Sequence, residues 1–407
     1  MTKTWIGLAL SLGLCACSSG TSSGLSTNGG PGAPGGGGFT PAGPGGDTSS
    51  GSSGSSSGGG FGGGSSSGSA GAPVGAFAGG GASAGTSTGT TAGTMAAASD
   101  AGPVQQVGTG ILTAGIWDDS LNYDFFGHYL ASHAQIPGAP GFAMADYDAA
   151  HTEFARRTAR SVVDVALVMD TTGSMGDEIA YLTAEFAGIS SSIGAAFPNA
   201  DQRWALVVYR DTPDTDQGDE YVVRSFDFTT SAQTFAATVG AQSAGGGGDY
   251  PESPELGLEQ LTQLAWRSDP SVAKLAFWIG DAPHHDYRAA AMKKAIVDVH
   301  AAGIHLYPVS ASGTDDLLEL TMRSAAEITG GRYLFLTNDS GVGDPHKVPE
   351  IPCYFVTRLE KAIVRVVGME LSGTYVGPDT ADVLRVSGNA STGGACSIGD
   401  GGTVQIF

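Results

Sequence analysis

The fold of this chain is indicated most clearly by VVDVALVMDTTGSMGDEI, residues 162–179. Its first eight residues, Val162 to Met169, are nearly all apolar, which is typical of a strand buried on both faces of a parallel sheet. A polar loop follows, and then a helix begins whose apolar residues recur at three- and four-residue spacing: Ile179, Leu182, Phe186, Ile189 and Ile193. A strand, a polar loop and an amphipathic helix in this order indicate one unit of an α/β domain.

The same alternation of strand and helix continues towards the C-terminus. Apolar runs predict strands at Trp204 to Tyr209, Lys274 to Ile279, Ile304 to Val309 and Tyr333 to Leu336. Helices are predicted from Ser253 to Trp266, Tyr287 to Ala302, Asp315 to Thr329 and Val356 to Val367. The run from Tyr221 to Phe228 follows a loop too short for a helical crossover, so it should pair antiparallel at an edge. We therefore predict an α/β fold, with a doubly wound, mostly parallel, Rossmann-like sheet, helices on both faces and one antiparallel edge strand.

The composition separates a low-complexity segment from the folded sequence. The chain has 407 residues, and its 65 glycines concentrate near the front, together with Ser, Ala, Thr and Pro. With few large apolar residues to bury, residues 17–106 are predicted to form a long disordered linker. The remaining length fits one large domain. Lys and Arg total 19 against 40 Asp and Glu, a formal net charge of −21, which argues against nucleic acid as a partner.

The N-terminus has the features of a secretion signal. Lys3 precedes an apolar run from Trp5 to Leu14, which is too short to span a bilayer, and Ser-rich sequence follows. The segment resembles a bacterial lipoprotein signal, in which the cysteine after the cleavage site carries the lipid. Cys17 fits best because the small Ala16 precedes it, with Cys15 as the alternative, and an ordinary signal peptide stays open. We expect a signal peptide at 1–16, a lipid on Cys17 that inserts into a bilayer, and a location in the bacterial envelope, at the surface or periplasmic face of the outer membrane.

The other two cysteines, Cys353 and Cys396, lie near the C-terminus. Export would place them in an oxidising compartment, where they can form a disulfide bond that ties a C-terminal extension to the domain. The alternative is two buried free thiols. No spacing of Cys and His residues indicates a zinc site.

Oxygen-bearing side chains follow several predicted strands. Asp170, Thr172 and Ser174 come directly after the first strand, Asp249 lies in the loop GGGGDYPES, and Asp281 follows the strand KLAFWI. In a doubly wound sheet, the loops at the carboxyl ends of the strands meet at the crevice where ligands bind. Carboxylates and hydroxyls are ligands that suit Mg²⁺ or Ca²⁺. We therefore predict a divalent metal site at this edge, with Mg²⁺ as the first choice and Ca²⁺ or Mn²⁺ as alternatives.

Four motifs carry a family resemblance: DTTGSMGDEI from Asp170, YRD from Tyr209, GGGDYPE from Gly246 and GDAP from Gly280. The chain from about Val163 to Gly368 resembles von Willebrand factor A domains, and the motif set is similar to that of hemicentin-like and bacterial secreted members. The segment LTAGIWDD, residues 112–119, looks shared with the bacterial members. These matches imply a domain at 161–368, an N-terminal extension at 107–160 that packs on it, and a C-terminal extension at 369–407.

The resemblance also implies a metal-ion-dependent adhesion site. It makes Asp170, Thr172 and Ser174 the ligands of the first loop and Asp281 that of the last loop, often through water. Many members have a threonine in the middle loop, whereas this chain offers Asp249, which either acts through water or makes the site prefer Ca²⁺ or a less acidic ligand. Asp211 in YRD is a possible outer member of the site, or it only caps its loop.

The expected function is binding rather than catalysis. In an adhesion site of this kind, a Glu or Asp of a partner protein completes the coordination of the metal. A metal-dependent hydrolase is one alternative, and a metal that only stabilises the fold is another. His284 and His285 are expected to be loop residues near the rim of the site, because no HExxH, GxSxG or Walker motif accompanies them.

Overall fold

The computed structural model describes residues 107–133, 135–154, 158–212, 220–390, 394–399 and 401–407. The predicted signal peptide, Cys17 with its expected lipid, and the Gly/Ser-rich segment up to residue 106 lie outside the described residues. In these ranges, none of the helices combines the length and the apolar character needed to cross a membrane.

A nine-stranded sheet with helices on both faces forms the body of the domain. Its strands are β1 Thr113–Trp117, β2 Val162–Asp170, β3 Asp201–Tyr209, β4 Val223–Thr229, β5 Val272–Gly280, β6 His305–Ser310, β7 Tyr333–Leu336, β8 Tyr354–Arg358 and β9 Arg385–Ser387. Their order across the sheet is β4-β3-β2-β5-β6-β7-β1-β8-β9. Two short strands, β10 Ala395–Ser397 and β11 Thr403–Gln405, pair separately.

Eight α-helices are seen in the described part of the chain. They are α1 Tyr123–His133, α2 Met144–Phe154, α3 Ile179–Ala196, α4 Ala232–Gly240, α5 Pro254–Thr262, α6 Ala289–Ala301, α7 Asp316–Thr329 and α8 Leu359–Ser372. Two clusters of buried apolar side chains fill the layers between the sheet and its helices, one containing Phe186 and Phe277 and the other Trp278 and Met292. Because strand residues alternate between the two faces, Phe277 and Trp278 contribute to opposite layers.

The parallel core of the predicted fold is confirmed. Strands β3, β2, β5, β6 and β7 pair in parallel, and β4 pairs antiparallel with β3 at the edge. In β2, residues Val163 to Asp170 are all buried, as the continuous apolar run predicts. The carboxyl ends of β2, β3 and β5 therefore lie side by side at one edge of the sheet.

The predicted N-terminal extension contributes a strand to this sheet. Strand β1 lies between β7 and β8 and is antiparallel to both, so the sheet has antiparallel pairs at this end as well as at β4. Gly115 is required in β1, since a Cβ there would lie 2.2 Å from the Phe335 ring. Two buried ion pairs follow the strand, Asp119 with Arg323 and Asp118 with Arg332, at 2.6 and 2.8 Å.

The C-terminal part differs from the prediction at its first element. The helix predicted from Val356 begins only at Leu359, because Tyr354–Arg358 forms strand β8, which hydrogen-bonds to β1 and β9. The predicted disulfide is confirmed: Cys353, next to β8, is bonded to Cys396 of β10, with both side chains buried. The bond joins the C-terminal segment to the main sheet.

Candidate metal centre

The first loop holds Asp170 in a fixed orientation. Asp170 is the last residue of β2 and is completely buried. The backbone N–H and the hydroxyl of Thr172 both donate to Asp170 Oδ1, at 2.9 and 2.7 Å. Asp170 Oδ2 has no hydrogen-bond partner in the described part of the chain, although the Tyr209 hydroxyl is near enough to lower the pKa of this carboxyl. One carboxylate oxygen is thus fixed by hydrogen bonds from its own loop, and the other accepts no hydrogen bond from the described residues.

Ser174 connects the first loop to the next strand end. It lies in the short 3-10 turn Gly173–Asp177, and its hydroxyl is 3.1 Å from that of Thr172. The Ser174 hydroxyl is also near enough to the carboxyl of Asp281 to lower its pKa. Asp281 follows β5 directly, and β5 pairs with β2 so that Ile279 lies opposite Met169. The structure therefore brings Asp170, Thr172, Ser174 and Asp281 together, as the sequence predicts for the first and last loops.

Asp281 also has a buried oxygen with no partner. Its side chain is nearly inaccessible, and Oδ1 accepts no hydrogen bond from any residue that the structure describes. Burying a polar oxygen without a partner costs about 1–3 kcal/mol, and more for a charged group. Two such oxygens therefore lie on adjacent strand ends.

Burial raises the affinity of both carboxyls for protons. Burial raises the pKa of Asp170 to about 6, opposed by the two hydrogen bonds from Thr172. Burial, and after it the charge of Asp170, raises the pKa of Asp281 to about 8. Without a cation, the pair therefore holds a proton at neutral pH. A divalent cation between the two carboxylates would supply the positive charge that lets both ionise.

Gly280 leaves the space that this arrangement needs. A Cβ at this position would lie 2.6 Å from the Tyr209 hydroxyl and 3.6 Å from Asp170 Oδ2. The Tyr209 hydroxyl is itself fixed, since the indole Nε1 of Trp278 lies 3.1 Å from it. Tyr209 is not recognisable from the sequence as a neighbour of the site, because its position in the apolar strand WALVVY is typical of a core residue.

The glycine-rich middle loop lies against the first loop. The N–H of Gly173 donates to the carbonyl of Gly246 at 2.9 Å. Gly247 has a φ of 98°, and a Cβ there would meet Thr172 at 3.0 Å and Glu252 Oε1 at 2.6 Å. Asp249 is exposed, and its N–H donates to Gly247. The carboxylate buried next to this loop is Glu252, the last residue of the GGGDYPE motif, which was not among the predicted site residues.

Asp211 and the two histidines lie below the surface. Asp211 is completely buried, and its charge contributes to the raised pKa of Asp170. Its Oδ1 contacts Ser253 Oγ at 2.8 Å and His285 Nε2 at 2.9 Å. His284 is buried as well, with Nε2 2.8 Å from the carbonyl of Gly138. The two histidines are therefore not rim residues, because each is held inside by its own hydrogen bond.

The donor set matches a hard divalent cation. Mg²⁺ and Ca²⁺ bind carboxylate and hydroxyl oxygens, and each accepts six or more of them, including water. Asp170, Thr172, Ser174 and Asp281 offer four such side chains within one connected group. No group of three or more His, Cys, Asp and Glu side chains placed to hold a metal occurs among the described residues. The candidate centre has two carboxylates and two hydroxyls, and it is a different type of site.

Residues 164–306 match the family model of the von Willebrand factor A domain. This part of the chain is similar to a von Willebrand factor A domain. The matched residues run from β2 into β6 and include Asp170, Thr172, Ser174, Asp249 and Asp281.

Two curated relatives are similar over part of this chain. The alpha-protein kinase vwkA of Dictyostelium discoideum is 26% identical over 127 residues, which are 31% of this chain and 19% of that protein. The putative ariadne-like RING finger protein R811 of Acanthamoeba polyphaga mimivirus is 27% identical over 126 residues, 31% of this chain and 12% of that protein. The chain thus spans about a fifth or less of the length of these relatives.

Two solved structures of the pilus adhesin SpaC from Lactobacillus rhamnosus GG also overlap this chain. The open conformation superposes with a TM-score of 0.33 at 13% identity, covering 43% of this chain and 28% of the adhesin. The second structure gives a TM-score of 0.31 at 14% identity, with the same coverage.

Proposed function

We propose that this von Willebrand factor A domain binds a protein partner through a divalent cation held by Asp170, Thr172, Ser174 and Asp281. The cation is Mg²⁺ by preference, with Ca²⁺ and Mn²⁺ as alternatives, and the site is a metal-ion-dependent adhesion site like that of hemicentin-like members. Asp249 is exposed on the adjoining loop, where it acts through water. The function is binding and not catalysis.

One observation carries the proposal. Asp170 Oδ2 and Asp281 Oδ1 are buried carboxylate oxygens without hydrogen-bond partners in the described ranges, and the hydroxyls of Thr172 and Ser174 connect their carboxyl groups. A fold keeps such oxygens when something else satisfies them. A divalent cation satisfies both oxygens and both charges.

Each residue of the site would have its own role in binding the cation and the partner. Thr172 orients Asp170 by donating two hydrogen bonds to Oδ1, which leaves Oδ2 for the cation. Ser174 is exposed and Thr172 is buried, and both offer hydroxyl oxygens next to the carboxylates. When bound, the cation supplies positive charge and a coordination position that a Glu or Asp of the partner can take. The partner's carboxylate would therefore approach over the first loop.

Affinity capture tests this function. The purified chain is immobilised, and proteins from the envelope of the source cells are captured in Mg²⁺ or in EDTA. We expect capture of a specific protein in Mg²⁺ only, and its loss for Asp170→Ala. A matched control is Asp298→Ala, since Asp298 is an acid on α6 with an exposed partner, Lys294. If Asp170→Ala lowers thermal stability but leaves capture unchanged, the metal is structural and the binding proposal is wrong.

Membrane attachment is a separate part of the proposal. We propose that Cys17 carries a lipid that anchors the chain in the bacterial envelope, in the outer membrane. Mass spectrometry of the mature N-terminus is expected to find diacylglycerol on Cys17. The lipid should be lost in Cys17→Ala and kept in Cys15→Ala. An unlipidated N-terminus, or a lipid on Cys15, would contradict it.

A further inference from the structure

A second polar group lies beneath the candidate metal centre. Asp211 lies two residues after the end of β3. Its Oδ1 accepts a hydrogen bond from the Ser253 hydroxyl at 2.8 Å and lies 2.9 Å from His285 Nε2. We call these three residues the Asp211 junction. Asp211 and Ser253 are completely buried, and His285 is 5% exposed. None of the three is one of the proposed metal ligands.

The junction joins three segments that are far apart in the sequence. Asp211 follows strand β3, Ser253 ends the glycine-rich middle loop just before α5, and His285 lies in the loop after β5. The contacts span 42 residues from Asp211 to Ser253 and 74 residues from Asp211 to His285. Through Ser253 and His285, a single carboxylate oxygen connects the middle loop to the loop that begins with Asp281.

Backbone hydrogen bonds complete a ring around the centre. The N–H of Glu252 donates to the carbonyl of Pro283 at 2.9 Å, which joins the middle loop to the last loop. The N–H of Gly245 donates to Thr171 at 3.0 Å, and that of Thr171 to Tyr209 at 3.0 Å. The first loop is therefore attached both to the middle loop and to the end of β3. Every loop that supplies a proposed ligand is connected, directly or through one neighbour, to the Asp211 junction.

We infer that the Asp211 junction positions the loops of the metal centre, and that His285 sets metal affinity without touching the metal. The inference rests on the proposed metal site. Metal affinity depends on the residues that hydrogen-bond the ligands and fix their orientation, as well as on the ligands themselves. Ser174 lies next to the Asp281 carboxyl, and the loop that follows Asp281 is held by His285 together with the backbone bond from Glu252 to Pro283.

The junction is tested with His285→Ala, His285→Gln and a matched control. The glutamine amide N–H can replace Nε2–H as a donor to Asp211. The control is His305→Ala, because His305 is also buried, 7% exposed, with a carboxylate partner at 2.9 Å, Glu370. His305 begins β6 and pairs with Leu275, at the opposite end of the strands from Asp281. Two quantities are measured on the full chain. The first is the Mg²⁺ dissociation constant, by calorimetry, and the second is the rate of backbone hydrogen exchange in residues 244–253 and 281–286 of the metal-free chain.

We expect His285→Ala to weaken Mg²⁺ binding by about 10-fold or more, as is usual when a residue supporting metal ligands is removed. It should also speed exchange in both loops. His285→Gln should stay within about 3-fold of the original affinity on the same reasoning, and His305→Ala should change neither readout. Unchanged exchange in His285→Ala, or an equal loss of affinity in His305→Ala, would overturn the inference. If the original chain gives no saturable Mg²⁺ binding, the proposed function fails, and the exchange data alone decide whether the junction positions the loops.

Discussion

Replacing Asp281 by Asn should stabilise the metal-free protein, and more so as the pH rises. Burial and the charge of Asp170 raise the pKa of Asp281 from 3.8 to about 8 in the folded state. In the unfolded chain this carboxyl ionises near pH 4. Asp281 therefore costs no stability below about pH 4, and the cost grows as the pH rises towards 8. Asn keeps the shape of the side chain but cannot ionise.

The size of the effect follows from the shift. Each unit of pKa difference corresponds to about 1.4 kcal/mol. Integrated over pH, the ionisation of Asp281 costs on the order of 2 kcal/mol at pH 5 and on the order of 5 kcal/mol at pH 8. The difference in free energy of unfolding between Asp281→Asn and the original chain should therefore increase by about 3 kcal/mol from pH 5 to pH 8. Such a gain is a large fraction of the stability of a typical domain.

Urea denaturation in EDTA measures this gain. The free energy of unfolding is determined for the original chain and for Asp281→Asn at pH 5 and at pH 8, with the disulfide intact. A suitable control is Asp269→Asn, since Asp269 is exposed and a hydrogen bond from the Ser271 N–H lowers its pKa. It should gain no stability as the pH rises. If Asp281→Asn differs from the original chain by the same amount at both pH values, the electrostatic account of the centre is wrong.

Three further results are expected. Mg²⁺ must displace the proton of the pair, so calorimetry should find affinity rising at least about 10-fold from pH 6 to pH 8, with proton release; flat affinity would contradict this. Arg323→Ala leaves Asp119 buried without its partner and should lower the free energy of unfolding by about 3–5 kcal/mol in urea denaturation; a loss below about 1 kcal/mol would show that the pair is dispensable. Cys353→Ser opens the bond to Cys396 across a separation of 43 residues and should cost about 4 kcal/mol in the same assay; unchanged stability would refute this estimate.

Much of the fold was predictable because its central strands are long and buried. The apolar runs at Val162 to Met169 and Lys274 to Ile279 lie within β2 and β5, which form the middle of the sheet. The antiparallel edge strand was predictable from its short connection. These features are local, so they are visible in the sequence alone.

Other elements depend on contacts across the chain. Strand β1 is only five residues long and lies between β7 and β8, and nothing in TAGIW says which strands it joins. Val356, Thr357 and Arg358 directly precede helix α8, and pairing with β1 and β9 makes them part of a strand. Short elements of this kind take their structure from their neighbours.

The candidate site divides in the same way. Asp170, Thr172, Ser174 and Asp281 follow directly from strand ends, and the structure brings them together. The long middle loop positions its residues through contacts with other loops. The sequence therefore predicts Asp249 as a ligand, but Asp249 is exposed in the structure. The buried acid near Thr172 is Glu252. Likewise, the partners of Asp211 lie 42 and 74 residues away, and no local pattern predicts them.

The metal centre and the binding function both depend on one cation shared by two strand ends. Crystals of the protein grown with Mn²⁺ and measured at the manganese absorption edge would locate such an ion by its anomalous signal. We expect a single strong peak within about 2 to 2.6 Å of oxygens of Asp170 and Ser174, and next to Asp281 either directly or through one water. A manganese-saturated crystal with no peak at these oxygens, or with its peak elsewhere, would contradict the metal centre and the binding function built on it.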